Sequence, residues 1–204
     1  MTDLLTTLLQ KLDEPAARFA ELERYYNGTQ PLAFLAPEAK EALGDRFGRM
    51  ATNLPRLAVT SLSERLRVTG FQGIEVWDDW LRNDLDQEAG IAHREALLLG
   101  ASYVIVWADA FGRPKVTVES AKQVTVLTDP GTHRITAALK RWETDKTTEA
   151  VMYGPQEIVR LSAPQTGATT QGFKVVETIP YSDGPRAAVN CYGSDDVREG
   201  VAIM

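Results

Sequence analysis

Two closely spaced pairs of acidic residues are the part of this sequence best able to do chemistry. Asp78 and Asp79 are adjacent, and Asp84 and Asp86 follow with one residue between them. Paired carboxylates can act as general acid and general base, or can bind a divalent cation. Each pair also stands where a helix is expected to begin, and carboxylates there complement the helix dipole. We therefore expect all four acids to serve helix starts, with a metal-dependent hydrolase as the weaker alternative.

The histidines and the cysteine do not form a metal-binding pattern. His93 and His133 belong to separate expected elements, and neither has a His or Cys partner at four-residue spacing. We expect His93 to be a surface or packing residue of a helix and His133 to be a turn residue. Cys191 is the single cysteine, which excludes an intrachain disulfide and a thiolate cluster and suggests a reducing compartment.

Motifs for nucleophilic catalysis and nucleotide binding are missing from the sequence. Ser61, Ser63 and Ser102 do not lie in a strand-turn-helix elbow and have no evident histidine companion. Neither a glycine-rich phosphate loop with its lysine nor a Gly-x-Gly-x-x-Gly after a strand is found. The expectation is a protein that is not an enzyme and that has no catalytic residues, metal or cofactor.

The composition is typical of a globular protein. The chain has 204 residues, of which 44% are hydrophobic and 25% charged, and its net charge is -6. An acidic balance argues against tight non-specific binding of nucleic acid, which depends on neutralising phosphates. The N-terminus lacks the features of a secretory signal, and no apolar run approaches the roughly 20 residues of a membrane span. We expect no membrane association.

The segment 46–67 is biased toward basic residues. It contains a single acid, Glu64. We expect a solvated face or salt bridges to a neighbouring subunit, and a polyanion-facing patch is the alternative. The arginines of this segment are Arg46, Arg49, Arg56, Arg65 and Arg67.

The N-terminal apolar residues recur at three- and four-residue spacing, which predicts amphipathic helix over Leu4–Tyr26. Pro15 should divide this helix, and Gly28 should end it, because glycine tolerates the left-handed conformation of a C-terminal cap. Tyr26 continues the apolar stripe and is expected to pack inward. Tyr25 is expected at its edge with a solvated hydroxyl.

Further helices are predicted before the strand-rich half. The segment Pro37–Arg49 reads as a short helix, and Asn53, followed by a proline, reads as the cap of another that should be half-buried. The alternation over Leu66–Phe71 predicts a brief strand. Helical turns should begin at Asp78, and Leu85–Gly100 should form a helix closed by its glycine.

Extended segments follow, beginning with a hairpin of residues 103–107 and 115–119. Helices first and consecutive strands afterwards indicate an α+β fold, with N-terminal helices followed by a mainly antiparallel β-meander. The later strands are predicted at 123–128, 134–143, 149–153, 158–161 and 173–178.

Several ordered blocks between about Leu22 and Leu161 resemble one family, the portal proteins of tailed bacteriophages, especially those of siphoviruses from actinobacterial phages and prophages. The blocks in this sequence are RYYNGTQPL (24–32), NLPRLAVTSLSERLRVTGF (53–71), WLRNDLD (80–86), HREALLLGASYVIVW (93–107), GRPKVTVESAKQVTVLTDP (112–130) and AALKRW (137–142). Their shared order is more specific than any one block.

The resemblance implies a structural protein without catalysis. Portal proteins form a ring, usually a dodecamer, at one capsid vertex of the virion, and double-stranded DNA passes transiently through it during packaging and ejection. The implied partners are other portal subunits, the large terminase subunit, the major capsid or scaffold protein and head-completion or adaptor proteins. Synthesis would take place in the host cytoplasm.

The resemblance also implies a domain organisation. Residues 1–180 look like the outer, wing-like α+β part of a portal subunit, which makes lateral and capsid-facing contacts. Candidate polyanion-facing residues are Arg46, Arg49, Arg65 and Arg67. Candidate structural or interface residues are Tyr25, Tyr26, Gly28, Pro31, Pro55, Arg56, Trp80, Asn83, Asp86 and Gly100.

The C-terminal segment departs from the family pattern. Residues 181–204 match no part of it, and the channel helices, clip and crown of a portal subunit do not follow. The expectation is a tail from a truncated or frame-shifted gene, and a chain that is a monomer or a weak small oligomer. A generic protein-interaction module is the alternative for the whole chain.

Overall fold

The chain folds into a helical N-terminal part and a strand-rich remainder. In the described residues the helices are α1 (Thr2–Asp13), α2 (Ala16–Asn27), α3 (Leu54–Ser63), α4 (Trp77–Arg82) and α5 (Leu85–Leu99). The strands are β1 (Tyr103–Ala108), β2 (Pro114–Glu119), β3 (Val124–Thr128), β4 (Ile135–Glu143), β5 (Thr148–Tyr153), β6 (Glu157–Ala163), β7 (Lys174–Pro180) and β8 (Gly200–Ile203). The computed structural model describes residues 2–30, 36–38, 41, 53–109, 111–132, 134–180 and 200–203.

The strands form two sheets, and every neighbouring pair is antiparallel. One sheet has the order β2-β1-β8, and the other has the order β3-β4-β5-β6-β7. The predicted α+β class, with helices first and an antiparallel meander afterwards, is confirmed. The sequence did not predict β8, which lies within the expected C-terminal tail and pairs with β1. The other residues of that tail, Cys191 among them, lie outside the described residues.

The first two helices begin and end as their sequence dictates. Pro15 separates α1 from α2. Gly28 has φ 71°, and its N–H donates to the carbonyl oxygen of Tyr25 at 3.2 Å. This left-handed cap satisfies a carbonyl at the end of α2, as the sequence predicted.

The helices contribute to two apolar clusters on the sheets. Leu8, Leu9 and Leu12 of α1 pack with residues of β4, β5 and β6, and Phe19 of α2 packs with a second cluster that includes Ile105 of β1. A salt bridge between Asp13 and Arg141 fastens the end of α1 to β4. The buried strands thereby hold α1 and α2 in place.

Two sequence predictions near α3 are wrong. Residues 66–71 form an irregular connection, not a strand, and Phe71 packs against aromatic residues of α4. A short alternating segment needs a neighbouring strand to satisfy its backbone, and this one has no ladder partner among the described strands. The leucines of α3, which were expected to give a half-buried helix, lie on its exposed side.

Some predictions lie outside the described residues. The predicted helix over 37–49 is described only at residues 37, 38 and 41, which are helical. Pro31, Arg46, Arg49 and His133 are not among the described residues.

Candidate interaction surfaces and the junctions that position them

A single amide joins the end of α2 to the start of α3. The Nδ2 of Asn53 donates to the carbonyl oxygen of Tyr26 at 2.7 Å, while its Oδ1 accepts from the backbone N–H of Arg56 at 3.0 Å. The side chain therefore caps two helices at once. A Cβ at Gly28 would approach this Nδ2 to 3.3 Å, a tight contact that adds to the left-handed backbone conformation in favouring glycine there.

The two tyrosines that precede Gly28 differ in their surroundings. Tyr25 is exposed, as predicted. Tyr26 is only half-buried, so its predicted place in the core is wrong. The guanidinium of Arg56 lies 5.6 Å from the centre of the Tyr26 ring, at cation–π distance. Pro55 occupies the first turn of α3 and is exposed.

Asn83 forms the second junction, between α4 and the strands. It is only 5% exposed. Its Nδ2 donates to the carbonyl oxygens of Asp79 at 2.8 Å and Pro114 at 3.0 Å, and its Oδ1 accepts from the N–H of Val116 at 2.9 Å. A buried amide with all these bonds satisfied fixes the position of α4 on β2.

The helix that follows Asn83 starts and stops in left-handed conformations. Asp84 stands at the N-cap of α5, at the helix start where it was expected, but it has φ 54° and its side chain makes no capping hydrogen bond. Asp86 lies in the first turn of α5, where it was expected, and is exposed. Gly100 ends α5 at φ 90°.

The outward face of α3 is apolar. Leu54, Ala58 and Ser61 recur at helical spacing on this face, Leu57 and Leu62 flank it, and Arg65 lies in the turn that follows the helix. All of them are exposed, whereas Ser63 on the opposite side is buried. Leu54, Leu57, Leu62 and Arg65 are called the α3 surface below.

Aromatic side chains gather at α4 and at the connection that precedes it. The ring of Phe71 lies 6.1 Å from that of Trp77 and 5.5 Å from that of Trp80. The two tryptophans stack at 6.3 Å with an interplanar angle of 11°. Their three-residue spacing on a helix places them side by side.

An open cleft of about 580 Å³ lies against the rings of Phe71 and Trp77. Its walls include Phe71, Ile74 and Trp77, and the carboxylate-bearing residues Glu75 and Asp78. The side chains of Phe71, Ile74, Trp77 and Leu81 are exposed. Phe71, Ile74, Glu75, Trp77, Asp78 and Leu81 are called the aromatic surface below.

The two surfaces carry charges of opposite sign. Among the described residues, Arg65 of the α3 surface and Arg67, which lies outside it, have no carboxylate within ion-pairing distance, and the same ranges provide no cation for Glu75 or Asp78. All four are exposed. These charges are available to a partner, because no described group neutralises them.

The four acids singled out in the sequence do not converge on a metal site. Asp78 and Asp79 lie in the first turn of α4, as predicted, and Asp79 pairs with Arg82. No group of three or more His, Cys, Asp or Glu side chains in the described ranges is placed to hold a metal ion.

Carboxylates with displaced pKa values lie elsewhere, in turns between strands. Backbone N–H groups, first that of Arg113 and also that of Phe111, lower the pKa of Asp109. The N–H of Thr132 lowers the pKa of Asp129 in the same way. These shifts come from turn geometry, and neither acid belongs to the surfaces described above.

His93 and Ser102 do not form a nucleophile and base. His93 lies half-buried on α5, and its Nδ1 has no hydrogen-bond partner among the residues that the structure describes. Ser102 is fully buried, and its Oγ has no partner in the same ranges. The histidine therefore does not activate this serine.

The structure brings several predicted residues together and adds others. Tyr26, Gly28 and Arg56 meet at Asn53, which the sequence marked only as a helix cap. Phe71, Trp77 and the outward leucines of α3 were missed as surface features. The Trp-x-x-Trp spacing could have pointed to the stacked pair, since residues three apart are neighbours on a helix.

No helix within the described part of the chain combines the length and apolar character needed to cross a membrane.

Two family models match parts of the chain, and one curated protein matches most of it. The family model described as phage portal protein, SPP1 Gp6-like, matches residues 5–182. A second family model, described as GGGtGRT protein, matches residues 162–204. The chain is similar to the portal protein of Mycobacterium phage L5, with 25% identity over 233 residues that cover 96% of this chain and 47% of that protein. The chain thus spans about half the length of this curated relative.

Proposed function

The chain belongs to the phage portal protein family described as SPP1 Gp6-like, and we propose that it is a structural subunit of the portal vertex of a tailed-phage head. The observation that carries this proposal is the family match over residues 5–182, which includes both the helical part and the strand-rich part. The structural role in the virion, as part of the connection between head and tail, follows from that membership.

The finer assignment concerns the part of a portal subunit that this chain provides. We assign residues 1–180 to a wing-like domain that makes lateral contacts with other subunits and faces the capsid. Supporting this, the asparagine junctions hold α3 and α4 in fixed positions while their outer surfaces stay exposed. A rigid support under an exposed apolar surface suits a protein–protein contact.

The proposed partners are those of a portal vertex. They comprise other copies of this subunit, the large terminase subunit, the major capsid or scaffold protein, and head-completion or adaptor proteins. Double-stranded DNA would pass through the assembled ring during packaging and ejection. The net charge of -6 supports only transient contact between this subunit and DNA.

The test is the location of the chain in phage particles. Particles from the phage or induced prophage that carries the gene would be purified and analysed by mass spectrometry, with an epitope-tagged chain located by immunogold microscopy. A label at a single vertex is expected, and the major capsid protein serves as the control that labels all faces. A chain that is expressed in the host but absent from particles would overturn the portal role and favour a generic protein-interaction module.

A further inference from the structure

The cleft beside α4 combines aromatic rings with free carboxylates. It has a volume of about 580 Å³, and Phe71 and Trp77 stand in its wall together with Glu75 and Asp78. Its exposed lining is more polar than apolar, so the cleft does not suit a purely apolar side chain. Aromatic faces and carboxylates have one kind of ligand in common, because both attract a cation.

No cation of the described chain occupies this position. Neither Glu75 nor Asp78 forms an ion pair within the described ranges, and no arginine or lysine there lies over a ring of the aromatic surface. The arginine of α4, Arg82, is paired with Asp79. A cation for this cleft would therefore come from outside the described chain.

Other rings of the described chain already have a cation from the same chain. In each pair the charged group lies between 4.8 and 5.6 Å from the centre of the ring. The pairs are Arg56 with Tyr26, Arg113 with Phe111, and Lys140 with Trp142. Phe71 and Trp77 differ from these rings, because they are exposed, lie beside two unpaired carboxylates and have no such cation.

We propose that this cleft binds an arginine side chain carried by a segment of a partner protein. A planar guanidinium can stack on an aromatic ring and donate to carboxylates at the same time, which the ammonium of lysine does less well. The carrier is a protein segment because exposed apolar side chains accompany the charges. Ile74 stands in the wall of the cleft, and Leu81 lies on the same face of α4 as Trp77 and Asp78. Apolar residues next to the arginine would cover both.

The first experiment titrates the ¹⁵N-labelled full chain with N-acetylarginine methylamide and follows the backbone and indole N–H signals by NMR. Signals of residues 71–81 are expected to shift until the site is saturated. The uncharged citrulline analogue should bind about tenfold more weakly, because it loses both the cation–π contact and the ion pairs. Signals that do not move, or that move equally with the citrulline analogue, would overturn the proposal.

Variants of the cleft show which groups bind the cation. Glu75→Gln combined with Asp78→Asn should weaken binding about fivefold or more, because both carboxylates are lost. Trp77→Leu should weaken it to a similar extent, whereas Trp77→Phe keeps a ring and should retain most of the binding. Asp145→Asn is the matched control, since Asp145 is an exposed acid between β4 and β5 and outside the aromatic surface.

The carboxylate variant decides the outcome, because both acids are exposed and their replacement should leave the melting temperature unchanged. A variant that melts as the original chain does and still binds the arginine derivative equally well would contradict the proposed site.

The second experiment distinguishes a protein segment from a free cation. A short synthetic peptide with one arginine between two leucines should bind about tenfold more tightly than the arginine derivative, because the leucines cover Ile74 and Leu81. Ile74→Ser should remove most of this gain and leave binding of the derivative unchanged. A peptide that binds no more tightly than the derivative would show that the cleft does not recognise a protein segment.

Sedimentation velocity tests whether the occupant is another copy of this chain. The original chain and the Glu75→Gln, Asp78→Asn double variant should show the same state of association at every concentration. Association that is lost in the double variant would identify a second copy as the occupant and overturn the proposal. The inference goes beyond the portal role, because binding of the arginine probes does not depend on where the chain lies in phage particles. Each of the two can therefore fail while the other stands.

Discussion

Helices α1 and α3 share an amphipathic sequence pattern but use it in opposite ways. Leu8 and Leu9 of α1 are 0% exposed, whereas Leu54 and Leu57 of α3 are 61% and 62% exposed. The first helix covers β3 and β4, and its leucines complete a core with the strands. Helix α3 is capped at its start by the side-chain amide of Asn53, and its leucines face outward. A periodic apolar stripe therefore predicts a helix without telling whether the stripe faces the core or a partner.

The largest expected effect comes from truncating a buried leucine of α1, and an exposed leucine of α3 provides the comparison. Leu9→Ala should lower the free energy of unfolding by about 2 to 5 kcal/mol, because it removes buried contacts and leaves a cavity. Leu57→Ala should change it by less than about 0.5 kcal/mol, because the side chain is already exposed. Urea denaturation of both variants measures the difference. Equal losses would show that the contrast between the helices is wrong.

The second largest loss of stability is expected from removing the side-chain amide of Asn83. Asn83→Ala would leave the N–H of Val116 and the carbonyl of Pro114 without their buried partner. Each unsatisfied group costs about 1 to 3 kcal/mol, so a loss of roughly 2 to 4 kcal/mol is expected. Asp86→Ala is the control. Asp86 is nearby and exposed, so this substitution should change the free energy of unfolding by less than about 0.5 kcal/mol. A loss no larger than that of the control would mean that water replaces the amide at little cost.

The Gly28 cap predicts a smaller effect. Gly28→Ala forces a residue with a Cβ into φ 71° and against the Asn53 amide, and should lower the free energy of unfolding by about 1 to 2 kcal/mol. Gly70→Ala is the matched control, because its φ is not positive and a Cβ there would meet nothing within 4 Å. Thermal melts of both variants test the cap. Identical melting temperatures would contradict it.

The sequence predicted the elements whose signals are local. Pro15, Gly28 and Gly100 marked helix boundaries, and the strands from β1 to β7 were predicted from β-prone residues, alternation over 115–119 and turn signals between the segments. It failed where the outcome depends on distant residues. Whether residues 66–71 become a strand depends on a neighbouring strand, and whether the α3 leucines are buried depends on which side of that helix meets the rest of the chain.

The candidate surfaces were harder to foresee for the same reason. The residues that mark a helix start identified Asn53 as a cap. They did not predict its hydrogen bond to the carbonyl oxygen of Tyr26, because the two residues lie 27 positions apart in the sequence. The cleft at Phe71 lies at the irregular connection before α4, where the sequence predicts a strand. Single residues such as Asn83 and Trp80 were recognised as structural candidates, while their partners emerged only from the fold.

The smallest expected effect concerns the contact between Tyr26 and Arg56. A half-buried ring stabilises less than a core aromatic residue, for which truncation would cost about 3 to 5 kcal/mol. We expect about 1 to 2 kcal/mol for Tyr26→Ala, because part of the ring is already solvated. A double-mutant cycle with Arg56→Ala isolates the cation–π term, which should couple the residues by about 0.5 to 1 kcal/mol. Tyr25→Ala, at the exposed neighbouring position, should show no coupling to Arg56. If it couples as strongly as Tyr26→Ala, the arginine acts through the α2 cap as a whole, and the two helices are joined by the Asn53 amide without help from the ring.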